Sequence, residues 1–226
     1  MSSSPTSLLL SASRSSWAVS SQHGTEWEKH KVLTPALRQA VFERDDYVCK
    51  GCSWRSERFQ EIHHKNDDHS DHRMENLETL CPLCHQVFHL PIAATTSGGT
   101  IIWLPDIPQA DLNLLCIGLF VAQHVANSKW AGTARQLFST LQGRTTFVEQ
   151  NLGKCDPGAI AQVLLNLKPE DYAARADFVG GLRLLPFRSR FETQTAYWAT
   201  ECFKDAPIDS WDALLKKHGL HEDEGQ

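Results

Sequence analysis

Cys49-Lys-Gly-Cys52 and Cys81-Pro-Leu-Cys84 open and close the stretch that decides the fold of this 226-residue chain. Each Cys-x-x-Cys pair forms a knuckle whose two sulfurs can face one ion. The 28 residues between the pairs allow all four sulfurs to close a tetrahedral zinc site. Four unrelated buried thiols are the alternative. A region this small has little apolar mass to hold its shape, so we expect the zinc to be structural.

Histidines and an asparagine accompany the two knuckles. In chain order the motif continues as Glu61-Ile-His63-His64, Asn76-Leu77 and Cys84-His85-Gln-Val-Phe-His89. His85 and His89 are four residues apart on a helix that we predict from near Pro82 to Leu90, ended by Pro91. Both imidazoles then project from one face of the helix and can share a divalent ion.

His63 and His64 end a predicted strand at 59–64. Neighbouring side chains of a strand point to opposite faces. One of the two rings can therefore bind metal while the other stays free. A hydrolytic metal site needs this combination of few protein ligands, an open position and a separate base.

The ordered set CxxC…HH…N…CxxCHxxxH resembles the HNH (His-Me finger) family of endonucleases over about residues 36–90. The resemblance implies a ββα-metal finger that hydrolyses phosphodiester bonds of DNA, or of RNA. By position, it implies that His64 is the general base and that Asn76 holds the loop and helps to orient that base. It assigns a catalytic ion (Mg²⁺, Mn²⁺, Ni²⁺ or Zn²⁺) to His63, His85 and His89. It assigns structural Zn²⁺ to Cys49, Cys52, Cys81 and Cys84.

Residues 65–75 are polar and predict an exposed loop. Its aspartates either raise the pKa of His64 or are simply solvated. His69 and His72 lie in the same loop, where His69 can approach a substrate. The cations available for phosphate nearby are Arg44, Arg55, Arg58, Lys65 and Arg73.

The overall charge does not favour tight nucleic-acid binding. The chain has a formal net charge of -5, so any DNA contact must come from a local site or a bound metal. No stretch approaches the roughly 20 apolar residues of a membrane span, and the N-terminal residues do not resemble a secretion signal. We therefore expect a cytoplasmic protein with reduced thiols.

Composition divides the chain into four parts of an α+β protein. We predict a Ser-rich tail at 1–25, a zinc-braced HNH finger at 26–95, a mainly α-helical domain at 96–220 and an acidic tail at 221–226. Thr34-Pro35 predicts the start of a helix that ends near Asp45. The β-branched run 100–104 predicts a strand. Further helices are predicted at 109–126, 131–141, 156–167, 169–179, 187–203 and 209–218.

A longer part of the chain resembles the DotN (IcmJ) family, small zinc-containing subunits of the type IVB secretion coupling complex. The resemblance spans about residues 8–200. It rests on the segment 99–113 (GTIIWLPDIPQADLN), Arg144, Val148-Glu149, Asp156-Pro157 and Arg183-Leu-Leu-Pro186. It implies that residues 8–17 dock on the body. It also implies a binding module for the C-terminal tail of a coupling ATPase, through which the chain associates with the membrane.

The two resemblances imply different functions. The secretion subunits keep the zinc cysteines but not the nuclease histidines, whereas this chain keeps His63, His64, Asn76, His85 and His89. Converging imidazoles without an ion are costly to desolvate and repel one another when protonated. The retained set therefore favours a catalytic metal and a nuclease on a DotN-like body, and the alternative is a non-catalytic subunit with structural zinc alone.

Overall fold

A computed structural model describes residues 5–13 and 33–218, which form a mixed helix and strand protein. Residues 1–4 and 14–25 of the predicted Ser-rich tail, and all of the predicted acidic tail at 221–226, lie outside the described residues. Within the described part, no helix combines the length and the apolar character that crossing a membrane requires. The boundaries between finger and helical domain remain a prediction.

Two short strands and three helices build the part that contains the cysteine motif. These elements are α1 (Pro35–Arg44), β1 (Glu61–His64), β2 (Leu77–Leu80), α2 (Pro82–Phe88) and α3 (Leu90–Thr95). Helix α1 begins as predicted, because Thr34 Oγ1 accepts a hydrogen bond from the backbone N–H of Leu37. Strands β1 and β2 pair antiparallel with His63 opposite Glu78. The sequence pattern does not predict β2, although it marks Leu77 as part of the motif.

One carboxylate ties α1 to β2. Asp45 follows α1 directly, and its side chain is only 3% exposed. It accepts a hydrogen bond from the backbone N–H of Thr79 at 2.9 Å and pairs with Arg44 and Lys50 at 2.9 and 3.1 Å. Burial by itself raises the pKa of Asp45, but these partners together outweigh it and lower the pKa below the ordinary 3.8. The charged carboxylate therefore stabilises this part of the fold.

We expect Asp45→Asn to destabilise the protein by about 2–4 kcal/mol near neutral pH, because Arg44, Lys50 and the backbone N–H of Thr79 lose the buried negative charge that they contact. The pKa is lowered on folding, so the contribution is complete above the unfolded value of about 4 and disappears as the pH falls through the folded value. Urea unfolding at a series of pH values measures this difference. Asp46→Asn, at an exposed position, is the control. A difference that persists unchanged at strongly acidic pH would contradict the role.

The predicted helix from Pro82 to Leu90 is interrupted at His89. That residue has φ -126° and ψ 53°, so α2 ends at Phe88. Helix α3 then begins at Leu90, with Pro91 in its first turn. The N–H groups of a first turn have no partner within the helix, so a proline there costs no hydrogen bond. The prediction that Pro91 ends the helix is therefore wrong, because Pro91 lies in the first turn of a new helix. His89 follows the last residue of α2 and is not part of that helix.

The second part of the described chain is mainly helical around a two-stranded sheet. Its strands are β3 (Gly99–Trp103) and β4 (Leu182–Pro186), and its helices are α4 (Gln109–His124), α5 (Trp130–Gly143), α6 (Thr145–Leu152), α7 (Pro157–Asn166), α8 (Pro169–Ala173), α9 (Arg175–Val179), α10 (Glu192–Tyr197) and α11 (Trp211–Lys217). Strand β3 is confirmed and pairs antiparallel with β4 from Gly99 opposite Pro186 to Trp103 opposite Leu182. A Cβ on Gly99 would meet the carbonyl oxygen of Leu185 at 2.3 Å, so the pairing requires glycine here.

Several predicted helices are shorter or divided. The predicted helix 169–179 is split into α8 and α9 at Ala174, whose ψ of 9° departs from helical geometry. The predicted helix 187–203 consists of a 3₁₀ turn (Arg188–Phe191), α10 and a π turn (Trp198–Cys202). The π turn holds Trp198, which is fully buried, in the central core. Helix α6 and strand β4 are not predicted.

The finger and the helical part share one core. Leu80 and Leu83 from β2 and α2 belong to the same buried cluster as Leu112, Phe120 and Trp198 of the helical part. The four motif cysteines lie in this cluster as well. Burial of a large aliphatic or aromatic side chain stabilises a fold by about 1.5–3 kcal/mol. The surroundings of the cysteines therefore depend on both parts of the chain.

Residues 5–13 form a strap across the finger and the helical part, rather than a loose tail. The backbone N–H of Thr6 donates to the carbonyl of Lys50. Ser11 pairs with both sides of the α2–α3 junction through Val87 and Leu90. Leu10 and Ala12 are buried in a second apolar cluster beneath β3 and α7. The expected docking of residues 8–17 on the body therefore holds for 8–13, and 14–17 lie outside the described residues.

Candidate metal centres

Four cysteine side chains converge where the two knuckles meet. Cys49 and Cys52 lie in the turn between α1 and β1, and Cys81 and Cys84 lie at the start of α2. The four sulfur atoms lie within 4.8 Å of one another, and all four residues are buried. None of them forms a disulfide in this structure. The predicted cluster is therefore present and could hold a structural metal such as zinc.

The donors around the sulfurs fit a metal-bound thiolate cluster. The side-chain amide of Asn113 donates to Cys84 Sγ at 3.2 Å, and the backbone N–H of Cys52 lies 3.5 Å from Cys49 Sγ. Hydrogen bonds from the neighbouring thiols lower the pKa of Cys49, whereas burial raises the pKa of Cys81 and Cys84 well above their usual range. The site thus favours one thiolate and opposes further negative charge. A divalent cation removes that opposition, and zinc prefers this set of four sulfurs.

Three histidines form a second cluster beside β1. His63 comes from β1, His85 from α2 and His89 from the α2–α3 junction. One nitrogen from each ring lies within 4.8 Å of the other two. The Nε2 atoms of His85 and His89 are 3.1 Å apart. Two imidazole nitrogens this close either share a proton or face a common cation, so the geometry suits a divalent metal.

Burial favours the neutral forms of His63 and His89. Burial first, and then the charges of the neighbouring imidazoles, lower the pKa of His63 to about 3 and that of His89 to about 2. Neutral imidazole is the form that binds a metal ion. Nδ1 of His89 is buried and has no hydrogen-bond partner among the described residues. His63 and His89 thus offer ring nitrogens in a site where their own protonation is unfavourable.

His64 stands next to the trio but outside it. Its ring stacks on His69 with centroids 4.9 Å apart, and His72 lies 5.5 Å away. Burial lowers the pKa of His64 to about 4, with His69 and His72 adding to the effect. Its Nε2 atom is buried and finds no hydrogen-bond acceptor or donor in the described part of the chain. The ring is therefore neutral at physiological pH with one nitrogen available.

Asn76 holds the loop that covers His64. Its side-chain oxygen accepts from the backbone N–H of Asn66 at 3.0 Å, and its amide donates to the carbonyl of Asp71 at 2.8 Å. The amide thus ties the start and the middle of the loop 65–75 to the residue that follows the loop.

Most of the cations predicted to face phosphate already have partners. Arg44 pairs with Asp45, and Arg55 lies 3.4 Å from both Asp46 and Glu57. In each contact a carboxylate already neutralises positive charge of the arginine, which leaves less attraction for nucleic-acid phosphates. Two further cations of the set are also engaged: Arg58 lies over the rings of Phe59 and Tyr197, and Arg73 pairs with Asp71.

The sequence assigns no role to two residues that contact these clusters, Glu61 and Asn113. Glu61 accepts a hydrogen bond from His85 Nδ1, an arrangement that fixes the orientation of a metal-ligating imidazole. Its position two residues before His63, hence on the same face of β1, is a signal that a strand assignment can use. Asn113 reaches the cysteine cluster from α4. Its only signal is a polar residue on the buried side of an apolar helix.

Comparison with known proteins identifies the family of the chain. No family model matches it, so the HNH resemblance stays a prediction. The chain is 30% identical over 203 residues to the type 4 apparatus protein DotN of Legionella pneumophila. The match covers 88% of this chain and 92% of the relative, so it includes the cysteine motif and the helical part together. The protein described here therefore belongs to the DotN family.

Proposed function

We propose that this protein is a zinc-braced, non-catalytic subunit of a type IV secretion or conjugation coupling complex. In this role it binds the C-terminal tail of the coupling ATPase. The observation that carries the proposal is the 30% identity to DotN over nearly the whole length of both proteins. In this view four cysteine thiolates hold structural zinc, which supplies the finger with a stable cross-link.

Charge and packing support a protein partner. The chain has a net charge of -5, and most cations near the histidines are already paired. Non-specific binding to nucleic acid rests on several unpaired Lys or Arg contacts to phosphate. The finger also shares its core with the helical part. A rigid body of this kind suits a subunit that presents a fixed surface, and its partner, not a span of its own, would bring it to the membrane.

Co-purification with the coupling ATPase tests the proposal. We expect the full chain, expressed with an affinity tag in cells that carry the secretion apparatus, to recover the ATPase in roughly stoichiometric amount. Deletion of the ATPase tail should abolish the recovery. Recovery that is unchanged by the tail deletion, or no ATPase at all, would count against the proposal.

A second candidate function is metal-dependent hydrolysis of phosphodiester bonds in DNA or RNA. The observation that favours it is the convergence of His63, His85 and His89 beside a separate neutral His64. In this candidate the trio holds a divalent ion such as Mg²⁺, Mn²⁺, Ni²⁺ or Zn²⁺, which would supply stabilisation of negative charge on the phosphate. His64 would accept a proton from the attacking water, and Asn76 would keep the covering loop in place.

Nicking of a supercoiled plasmid by the full chain tests this candidate. The assay is run with each divalent ion in turn, and a chelator serves as the blank. Metal-dependent nicking supports the nuclease. Nicking would remove the non-catalytic part of the first proposal but not the docking, since a nuclease can also dock on a secretion machine.

A further inference from the structure

Two buried side-chain amides connect the cysteine cluster to strand β4. Gln109 and Asn113 lie one turn apart on α4, and both are buried. The side chain of Gln109 contacts that of Asn113 at 2.9 Å, and Asn113 contacts Cys84 Sγ at 3.2 Å. Gln109 also pairs with the backbone N–H and the backbone carbonyl of Leu184, each at 2.8 Å. A continuous path of hydrogen bonds thus joins Cys84 to Leu184, two residues that are far apart along the chain.

The backbone of Leu184 fixes the direction of every hydrogen bond in this path. Its N–H can only donate, so the atom of Gln109 that faces it is the side-chain oxygen. The nitrogen of Gln109 then donates to two oxygens, the carbonyl of Leu184 and the side-chain oxygen of Asn113. The nitrogen of Asn113 is the atom that faces Cys84. Exchange of oxygen and nitrogen in either amide alone would bring two donors or two acceptors together.

Cys84 must therefore accept a hydrogen bond. A metal-bound thiolate accepts strongly because it carries negative charge, whereas the sulfur of a neutral thiol is a weak acceptor. Asn113 and Cys84 are both 0% exposed, so water does not take the place of the sulfur. A buried amide N–H without a good partner costs about 1–3 kcal/mol. The direction of the path thus suits the metal-loaded form of the cluster.

At its other end the path holds the backbone of β4. Gln109 meets both polar backbone groups of Leu184, as a residue of a neighbouring strand would. We propose that Gln109 and Asn113 are positioning residues for structural zinc. They hold Cys84 as a hydrogen-bond acceptor and connect the occupied cluster to β4. The inference rests on the zinc of the proposed function and not on its secretion partner.

The parent protein allows a direct test of the contact with Cys84. The full chain is loaded with an NMR-active isotope of cadmium as a substitute for zinc. We expect a scalar coupling between the cadmium nucleus and a side-chain amide proton of Asn113, because this N–H points at a metal-bound sulfur. A cadmium-loaded protein in which no such coupling reaches Asn113 overturns the proposal.

Asn113→Leu removes the donor and nearly keeps the shape of the side chain. We expect it to weaken zinc binding about tenfold, as is usual for loss of a residue that supports a metal ligand. In the cobalt-loaded protein, the thiolate-to-metal charge-transfer band should move to lower energy, because a thiolate without its hydrogen bond is a stronger electron donor. Competition with a colorimetric chelator and absorption spectroscopy measure the two effects. Asn113→Ala replaces this variant if circular dichroism shows that the leucine variant is unfolded.

Gln109→Glu tests whether the two amides act together. A carboxylate at this position has no donor for Asn113, so the amide of Asn113 should turn and present its oxygen to Cys84. We expect the cobalt band to move in the same direction as in Asn113→Leu, although the nearest link between residue 109 and the sulfur is Asn113 itself. The connection to β4 has its own readout. In zinc-loaded Asn113→Leu, hydrogen exchange of the Leu184 N–H should become several-fold faster, because Gln109 loses a partner that orients it.

Gln123→Leu is the matched control. Gln123 lies on the same helix, and its side-chain nitrogen has no hydrogen-bond partner among the described residues. This variant should keep the zinc affinity, the cobalt spectrum and the exchange rate of the parent. The proposal is overturned if Asn113→Leu behaves like this control, or if Gln109→Glu leaves the cobalt band in place. A parent protein that binds no metal overturns the zinc of the proposed function as well, whereas a metal-loaded parent with unaffected variants overturns this inference alone.

Discussion

Cys81→Ser should lower the melting temperature of the protein by at least about 10 °C and abolish its bound structural zinc. Cys81 is fully buried, and its sulfur lies 3.7 Å from that of Cys52. Loss of one sulfur leaves the other three thiols without a complete tetrahedral site. Because the finger shares its core with the helical part, the loss should reach the whole fold. Calorimetry and metal analysis by mass spectrometry measure the two effects.

The matched control for this experiment is Cys155→Ser. Cys155 is partly exposed and lies outside the cysteine cluster, where its sulfur contacts Glu149. This variant should keep its zinc and melt within a few degrees of the parent protein. A strong chelator should reproduce the effect of Cys81→Ser. If the parent protein binds no zinc, or if the Cys81→Ser variant is as stable as the control, then a bound metal does not stabilise this fold.

His64→Ala should reduce metal-dependent nicking at least about 100-fold if the second candidate function holds, because a positioned general base contributes about 10²–10⁴-fold. The variant should keep the metal content of the parent protein, since His64 stands outside the trio. His89→Ala should lose both the nicking and the second metal. Together the pair of variants separates a base from a ligand, which a single loss of activity does not do.

The control for the histidine series is His124→Ala, at the exposed end of α4. It should change neither metal content nor nicking. Equal nicking by His64→Ala and the parent would point to a contaminating nuclease. The absence of nicking with every divalent ion would leave the docking role as the function of this protein.

Local signals in the sequence predicted much of the fold. Thr34-Pro35 and Asp156-Pro157 mark helix starts because the capping contact lies within one turn of the chain. The strand at Gly99–Trp103 follows from its β-branched residues. Strand β4 was missed because its partner strand lies about 80 residues away along the chain. Its Arg183 donates to the backbone carbonyl of Ile107, and this contact between distant segments leaves no local signal either.

The sequence likewise predicts one part of the candidate site and misses another. Spacing alone brings four cysteines and three histidines to two clusters. The partners that adjust those clusters come from distant segments and leave no spacing signal, as Asn113 does for Cys84. Composition was misleading at the N-terminus, where serines suggest a tail. Ser11 and Ser13 are buried because their backbone and hydroxyl groups find partners on the body.

The contacts of the strap at residues 5–13 form in a set order while the chain is synthesised. The strap is translated before every segment it touches, and its latest partners are Tyr172, which donates to the carbonyl of Ala12, and Arg175, which donates to Ser11. Ribosomes add about 5–20 residues per second, so some ten to thirty seconds separate the strap from these partners. The knuckles at 49–52 and 81–84 leave the ribosome in that interval. The four cysteines can therefore meet a metal ion before the contacts of the strap to Tyr172 and Arg175 form.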